Sequence, residues 1–150
     1  MTKIFNIDLP QFDNFYFTDK YEGLMSLATN SMFESLQNSL PEEDIPATNG
    51  IFAQLDKQLF REKSTQTITG YFVYPPNGGM PWHTNSNLPG TRVYASWSEN
   101  GNSGMMFADN KKITIDKDSV GWNIRAFNCP VWHCVWSDCW RVSIGWRLSS

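Results

Sequence analysis

The chain contains two histidines, His83 and His133, each in a short stretch dense in chemically able side chains. Around the first, Met80-Pro-Trp-His-Thr-Asn85 places a second polar side chain, Asn85, two residues beyond the imidazole. Around the second, Val131-Trp-His-Cys-Val-Trp-Ser-Asp-Cys-Trp-Arg-Val-Ser143 sets Arg141 eight residues after His133, with Ser143 following at strand spacing. A local His-x-acceptor pair with one distant His is the layout of a facial metal triad, which leaves one face of Fe(II) open to a cosubstrate and dioxygen. The usual third ligand is a carboxylate, and here the position holds Asn85. A buried arginine needs an anion, because an unpaired buried charge is costly. A guanidinium fork beside a serine hydroxyl suits a carboxylate.

Each of these residues also has a plainer reading. Asn85 can cap the turn over Ser86–Gly90, since asparagine favours turns. Arg141 can form an ion pair, with Asp138 the nearest acid in sequence. Arg92 and Arg125 are rival carboxylate anchors. Glu99 and Asp109 lie beyond turns and substitute poorly for the missing metal carboxylate. The tryptophans at 132, 136, 140 and 146 read as core, and Trp82, beside His83, as a candidate substrate wall.

The elements that must position these groups follow from hydrophobic period. Leu24, Ala28, Met32, Leu36 and Leu40 recur at four-residue steps from Tyr21, which predicts an amphipathic helix ending before Pro41. Residues 1–17 read as an extended segment packed on the domain. Thr48 or Asn49 can cap a second helix carrying Ile51, Phe52, Leu55 and Leu59. After Lys63 the pattern turns to strands: Thr65–Tyr74, Thr91–Ser98, Gly104–Ala108, Lys112–Asp116, Gly121–Asn128, Val131–Trp136 and Trp140–Leu148. Pro75-Pro76-Asn77-Gly78-Gly79 breaks the first of these, Asn100-Gly101 signals a hairpin and Asp109-Asn110 another turn. In the last strand Arg141, Ser143, Gly145 and Arg147 share one face, opposite Val142, Ile144, Trp146 and Leu148. The apolar face is expected against the helices and the polar face inside the barrel. This is an all-β sandwich or barrel faced by N-terminal helices. It forms one domain, with residues 1–63 as helical support and 64–150 as core.

Composition narrows the classes. Seven Trp, ten Phe and a low charged fraction belong to a strongly cored globular chain. A net charge of −3 argues against a general nucleic-acid binder. Three cysteines, at 129, 134 and 139, are odd in number and lack CxxC spacing, so they form no disulfide framework and imply a reducing compartment. Met1–Ile7 lacks a basic region followed by an apolar run, and no apolar stretch reaches membrane-spanning length. These features predict a soluble, cytoplasmic protein with no secretory leader.

Over residues 68–148 the sequence resembles the 2-oxoglutarate- and Fe(II)-dependent dioxygenases, nearest to their prolyl-hydroxylase-like branch. Tyr74-Pro-Pro-Asn-Gly-Gly-Met-Pro-Trp-His83 resembles the family's Tyr-Pro-x-Asn-Gly segment leading into the first metal histidine, and Thr84-Asn85 stands where the family has x-Asp. Arg92–Ser98, the Asn-Gly turn and Ser103-Gly-Met-Met-Phe107 resemble the next strand pair. His133 matches the distal histidine, and Arg141-Val-Ser143 the Arg-x-Ser that grips the far carboxylate of 2-oxoglutarate. Tyr74 matches a tyrosine contacting the same cosubstrate. The resemblance implies a double-stranded β-helix (jelly roll) of roughly seven or eight strands with one or two N-terminal helices. It implies Fe(II) held by His83, Asn85 and His133, and 2-oxoglutarate held by Tyr74, Arg141 and Ser143. The activity it implies is hydroxylation of a small-molecule or peptide substrate, with no nucleic acid and no membrane as partner. Asn85 departs from the pattern, which sets a second expectation beside the first: a weakened or inactive jelly roll that binds a sugar or protein ligand, with exposed aromatics as its platform.

Overall fold

A computed structural model describes residues 3–38, 40, 50–55 and 63–148; of residues 14 and 15 only the backbone is described. Two short strands, β1 (Lys3–Ile4) and β2 (Ile7–Asp8), pair with each other. Helices α1 (Asn14–Met25) and α2 (Phe33–Asn38) follow. Then come β3 (Ala53–Gln54), β4 (Thr67–Tyr74), β5 (Gly78–His83), β6 (Gly90–Ser98), β7 (Ser103–Asp109), β8 (Lys112–Lys117), β9 (Gly121–Cys129), β10 (Trp132–Ser137) and β11 (Arg141–Arg147).

The strands form two facing antiparallel sheets, a larger one ordered β3-β4-β11-β6-β9 and a smaller one ordered β5-β10-β7-β8. From β4 onward the chain passes back and forth between them, which is the winding of a double-stranded β-helix. The jelly roll expected from the sequence is therefore the observed fold.

The connections between sheets explain one departure. Asn100-Gly101 does form a turn, with Gly101 at φ +85° and its N–H bonded to Ser98 Oγ at 3.0 Å. It joins β6 to β7, which lie in different sheets, so the expected hairpin is a sheet-to-sheet crossing. Pro75–Gly78 crosses likewise: the Gly78 N–H meets the Pro75 carbonyl at 2.9 Å, with Asn77 at φ +66°. Proline second and a positive-φ asparagine third is type II turn chemistry. A true tight hairpin is β7–β8, where Asn110 and Lys111 both have positive φ between the paired Asp109 and Lys112, as Phe5 and Asn6 do between the paired Ile4 and Ile7 of β1–β2.

The helical expectations need more correction. The single helix from Tyr21 to Leu40 is instead two helices that serve two cores. α1 begins earlier, where the Asp13 side chain accepts from the Tyr16 N–H at 2.9 Å, within the stretch read as extended. It is distorted at Tyr21 (φ −124°, ψ 23°) and ends at Met25. Phe17 from α1 stacks on Trp97 and Trp140 at 5.4 and 5.1 Å, against the outer face of the larger sheet, where Leu24 also packs. The second helix restarts behind Ser31, whose hydroxyl accepts from the Phe33 N–H. α2 packs Leu36 and Phe33 on Trp136 and Trp82 of the smaller sheet. The expected helix over Ile51–Leu55 is extended: Ile51 bridges Gly79, and β3 adds to β4. Thr48, Asn49 and Leu59 lie outside the described residues.

The last strand matches its expectation. Val142, Ile144 and Trp146 join the core beneath α1, while Arg141, Ser143 and Gly145 face the space between the sheets. That interior is lined by Tyr74, Met80, Met105 and Val135, with Phe72 and Phe127 against them. No helix among the described residues is long and apolar enough to cross a membrane. All three cysteines are buried and free.

Candidate functional site

β5 and β10 are antiparallel neighbours, and His83 and His133 are direct partners across that ladder. Both are buried, and their ring centroids stand 4.1 Å apart. The two rings are held the same way. His83 Nδ1 meets the Pro81 carbonyl at 2.7 Å, and His133 Nδ1 meets the Val131 carbonyl at 2.7 Å. A carbonyl can only accept, so Nδ1 carries the proton and Nε2 the lone pair in each neutral ring. Fixing the tautomer through Nδ1 is the usual preparation of a metal-binding imidazole.

Asn85 joins them. Its Nδ2 lies 3.4 Å from His133 Nε2 and 4.0 Å from Cys129 Sγ. Its backbone is left-handed (φ +57°), and its carbonyl accepts from the Leu88 N–H at 3.1 Å. The turn-forming reading of Asn85 thus holds, its backbone opening the turn while its amide faces His133. Among the described residues no group of three or more His, Cys, Asp or Glu is placed to hold a metal, and the polar side chain described beside the two rings is that of Asn85. A half-turn of the amide places Oδ1 where Nδ2 now donates.

Beside this cluster opens a cavity of about 290 Å³. His83 and Asn85 line one part, Phe72 and Met80 an apolar wall, and Arg92 and Tyr94 the β6 side. Burial, with Cys129 adding to it and Arg92 and Arg141 opposing it, pushes the Tyr94 hydroxyl up to about 12, so it stays a donor at neutral pH.

Arg141 is fully buried and faces inward, and the carboxylate it meets belongs to the protein. Its Nε donates to Asp118 Oδ2 at 2.8 Å, so the ion pair is with Asp118 and not with Asp138. Ser103 Oγ donates to the same oxygen at 2.7 Å, and Arg125 Nη2 lies 2.7 Å from Asp118 Oδ1. Arg125 also pairs with Asp116 at 2.7 Å. Burial works to raise the Asp118 carboxyl, but Arg141, Arg125 and the Ser103 hydroxyl outweigh it and hold it below its ordinary value. Arg141 Nη1 and Nη2 are buried and make no hydrogen bond among the described residues, with the Tyr74 ring 5.6 Å away. Burial pushes the Tyr74 hydroxyl up and keeps it protonated, with Arg141 opposing. Ser143 is buried on the same face, opposite Ser96.

Trp82 must be reassigned. It is buried on the far side of β5 from His83, packs with Leu36 and Trp136, and donates from Nε1 to the Leu36 carbonyl at 2.8 Å. Strand alternation forces this, since neighbours in a strand face opposite ways. It is a core anchor for α2, and no substrate wall.

Sequence reasoning missed Asp118, which follows β8, far from Arg141 in the chain. It raised Arg92 only as a rival. The available signal was β6 itself: Arg92, Tyr94 and Ser96 alternate on one face, and β6 pairs with β11 so that Arg92 stands beside Arg147 and Ser96 beside Ser143. Once the polar face of β11 is inward, that of β6 is inward too.

By its own strand order the protein is a double-stranded β-helix with a paired-histidine cluster at one end of its interior. It matches no protein-family profile and no curated protein. Solved structures similar to it include the formate complex of Lactobacillus farciminis oxalate decarboxylase, at 14% identity over 73% of this chain and 31% of that one, with a TM-score of 0.43. The chain thus spans about a third of that protein's length. Another is the Drosophila melanogaster CENP-C cupin domain, at 12% identity over 86% of this chain and 99% of that one, with a TM-score of 0.41.

Proposed function

We propose that this jelly roll is an Fe(II)- and 2-oxoglutarate-dependent oxygenase that hydroxylates a small-molecule or peptide substrate. The observation carrying this reading is the His83–His133 pair: two buried imidazoles facing each other across one ladder, both presenting Nε2, with Asn85 alongside. The donor set fits a divalent metal. His83 and His133 would hold it through Nε2, and Asn85 through its amide oxygen after rotation. Two neutral imidazoles and an amide leave the metal's charge uncompensated, so retention would depend on an anionic co-ligand. With iron and 2-oxoglutarate bound, the chemistry supplied is conversion of a C–H bond, dioxygen and 2-oxoglutarate into an alcohol, succinate and carbon dioxide.

The chain's own residues bind and shield. Tyr74, Arg141 and Ser143 face the interior, where the two bare guanidinium nitrogens of Arg141 could grip a carboxylate. Phe107 and Phe127 flank His133, with centroids 6.3 and 5.2 Å away, and keep water from it.

A second reading has its own observation. Asp118 already gives Arg141 a carboxylate, and the Asn85 amide already bonds His133. That arrangement suits a jelly roll that binds a ligand without oxidising it. Anaerobic titration with Fe(II) and 2-oxoglutarate separates the two, read by the visible charge-transfer band of the iron–oxo-acid chelate. A band in the wild type supports the oxygenase. A band only in Asn85→Asp identifies an oxygenase scaffold with a detuned site. No band in either folded variant removes the metal reading and leaves the binding module.

A further inference from the structure

We propose that the cavity beside His83 is a binding site for a small carboxylate, held by Arg92. The four arginines on the inward face of the larger sheet are not alike: Arg147 is only half-buried and donates to the Pro89 carbonyl at 3.0 Å. Arg125 and Arg141 each have a protein carboxylate within 2.8 Å. Arg92 is only 2% exposed, and among the described residues no carboxylate lies within ion-pair reach of it. One of its terminal nitrogens, Nη2, donates to the Leu88 carbonyl, and the other, Nη1, is buried with no hydrogen-bond partner. Arg147 is its neighbour across the β6–β11 ladder, so a second positive charge stands at the same end. A buried guanidinium with no counter-charge and a bare donor is costly unless an anion completes it.

The cavity meets that need. None of the residues lining it is acidic. Thr69 and Tyr94 bring hydroxyls to its wall. Phe52, Phe72, Met80 and Leu88 form its apolar part, beside the amides of Asn85 and Asn87, and that part suits a hydrocarbon chain better than a strongly hydrated inorganic anion. Its volume, about 290 Å³, lies at the small end of the roughly 300–1,000 Å³ typical of small-molecule sites, a fit for a short mono- or dicarboxylic acid. The carboxylate site stands with or without a metal. Only the additional assignment of Arg92, in place of Arg141, as the anchor of an oxo acid whose other end meets His83 and Asn85 rests on the oxygenase reading.

The test is done without metal. Succinate and 2-oxoglutarate are titrated, in the presence of EDTA, into protein labelled with ¹⁵N-arginine, following the arginine Nε–H resonances and, in parallel, the heat of binding. Inorganic phosphate serves as the comparison. The expected result is saturable carboxylate binding that moves the Arg92 resonance and leaves those of Arg125 and Arg141 in place. Arg92→Gln should weaken the affinity at least about tenfold, the loss expected for one charged hydrogen bond. Arg92→Lys, which keeps the charge and loses the fork, serves if the glutamine variant does not fold. The proposal is overturned by no saturable binding to the wild type at millimolar acid, by movement of the Arg141 resonance instead, by phosphate binding as tightly as succinate, or by unchanged affinity in the folded Arg92 variants. A failure here leaves the charge-transfer titration of the histidine site unaffected, so the two readings fall separately.

Discussion

Replacing Asp118 with asparagine removes one negative charge from between two buried arginines and changes almost nothing else in shape. Asp118 and Arg141 have fully buried side chains, and Arg125 is 8% exposed. Removing one member of a buried ion pair costs about 3–5 kcal/mol, because the partner's charge is left uncompensated. Arg125 keeps Asp116 at 2.7 Å, and the asparagine oxygen can still accept one hydrogen bond, so the lower end is expected, about 3 kcal/mol. At this chain length that is a fall in melting midpoint of roughly 6–12 °C. The pH dependence carries a sign. The Asp118 carboxyl is held below its ordinary value of 3.8 in the folded protein, so its contribution is fully present above that value and is lost as pH falls through the folded pKa. The gap between wild type and Asp118→Asn should therefore be constant from neutral pH down to about 5 and close at greater acidity. Urea denaturation of both proteins at pH 7, 5 and 3.5 measures this. A difference under about 1 kcal/mol at pH 7, the size of an exposed pair, or a gap that widens on acidification would refute the reasoning.

Further expectations address single residues. Asn85→Asp keeps a residue that tolerates the left-handed backbone and adds an anionic ligand; Mn(II) affinity, read by electron paramagnetic resonance, should rise by about tenfold or more. Trp82→Phe loses the bond to the Leu36 carbonyl and should cost about 1 kcal/mol in denaturant titrations, with carboxylate binding unchanged; a change in ligand affinity at constant stability would restore Trp82 to the site. Gly104→Ala should destabilise by roughly 1–3 kcal/mol in the same assay, because a Cβ there meets the Asp116 carbonyl and the Trp136 ring.

Much of the barrel was legible because strand parity is short-range. β11 reads Arg-Val-Ser-Ile-Gly-Trp-Arg, and its two faces separate by inspection into the core beneath α1 and the interior. The His-x-Asn and distant His stretches were legible for the same reason, each being local. The helical region was not. Leu24 and Leu36 share a four-residue rhythm, yet one packs on the larger sheet and the other on the smaller. Periodicity reports that a residue is covered and is silent on what covers it. Ile51, Phe52 and Leu55 have helical spacing too, but the segment is held extended, Ile51 bridging Gly79 of β5 and Ala53–Leu55 running along the open edge of β4. Asp118 and Arg92 acquire their meaning only from contacts distant in sequence: Asp118 by filling the demand of Arg141, Arg92 by meeting no carboxylate among the described residues.

The matching tethers of the two histidines have a consequence for how the cluster withstands change. Each imidazole takes its bearing from a carbonyl two residues back along its own segment, Pro81 in β5 for His83 and Val131 just before β10 for His133. Alignment is thus an inheritance of each strand separately. Loss of one ring leaves the other still aimed at the same point, so the cluster degrades by halves, and a single-histidine variant retains a correctly pointed stump on which a ligand from outside, such as free imidazole, could rebuild what was removed.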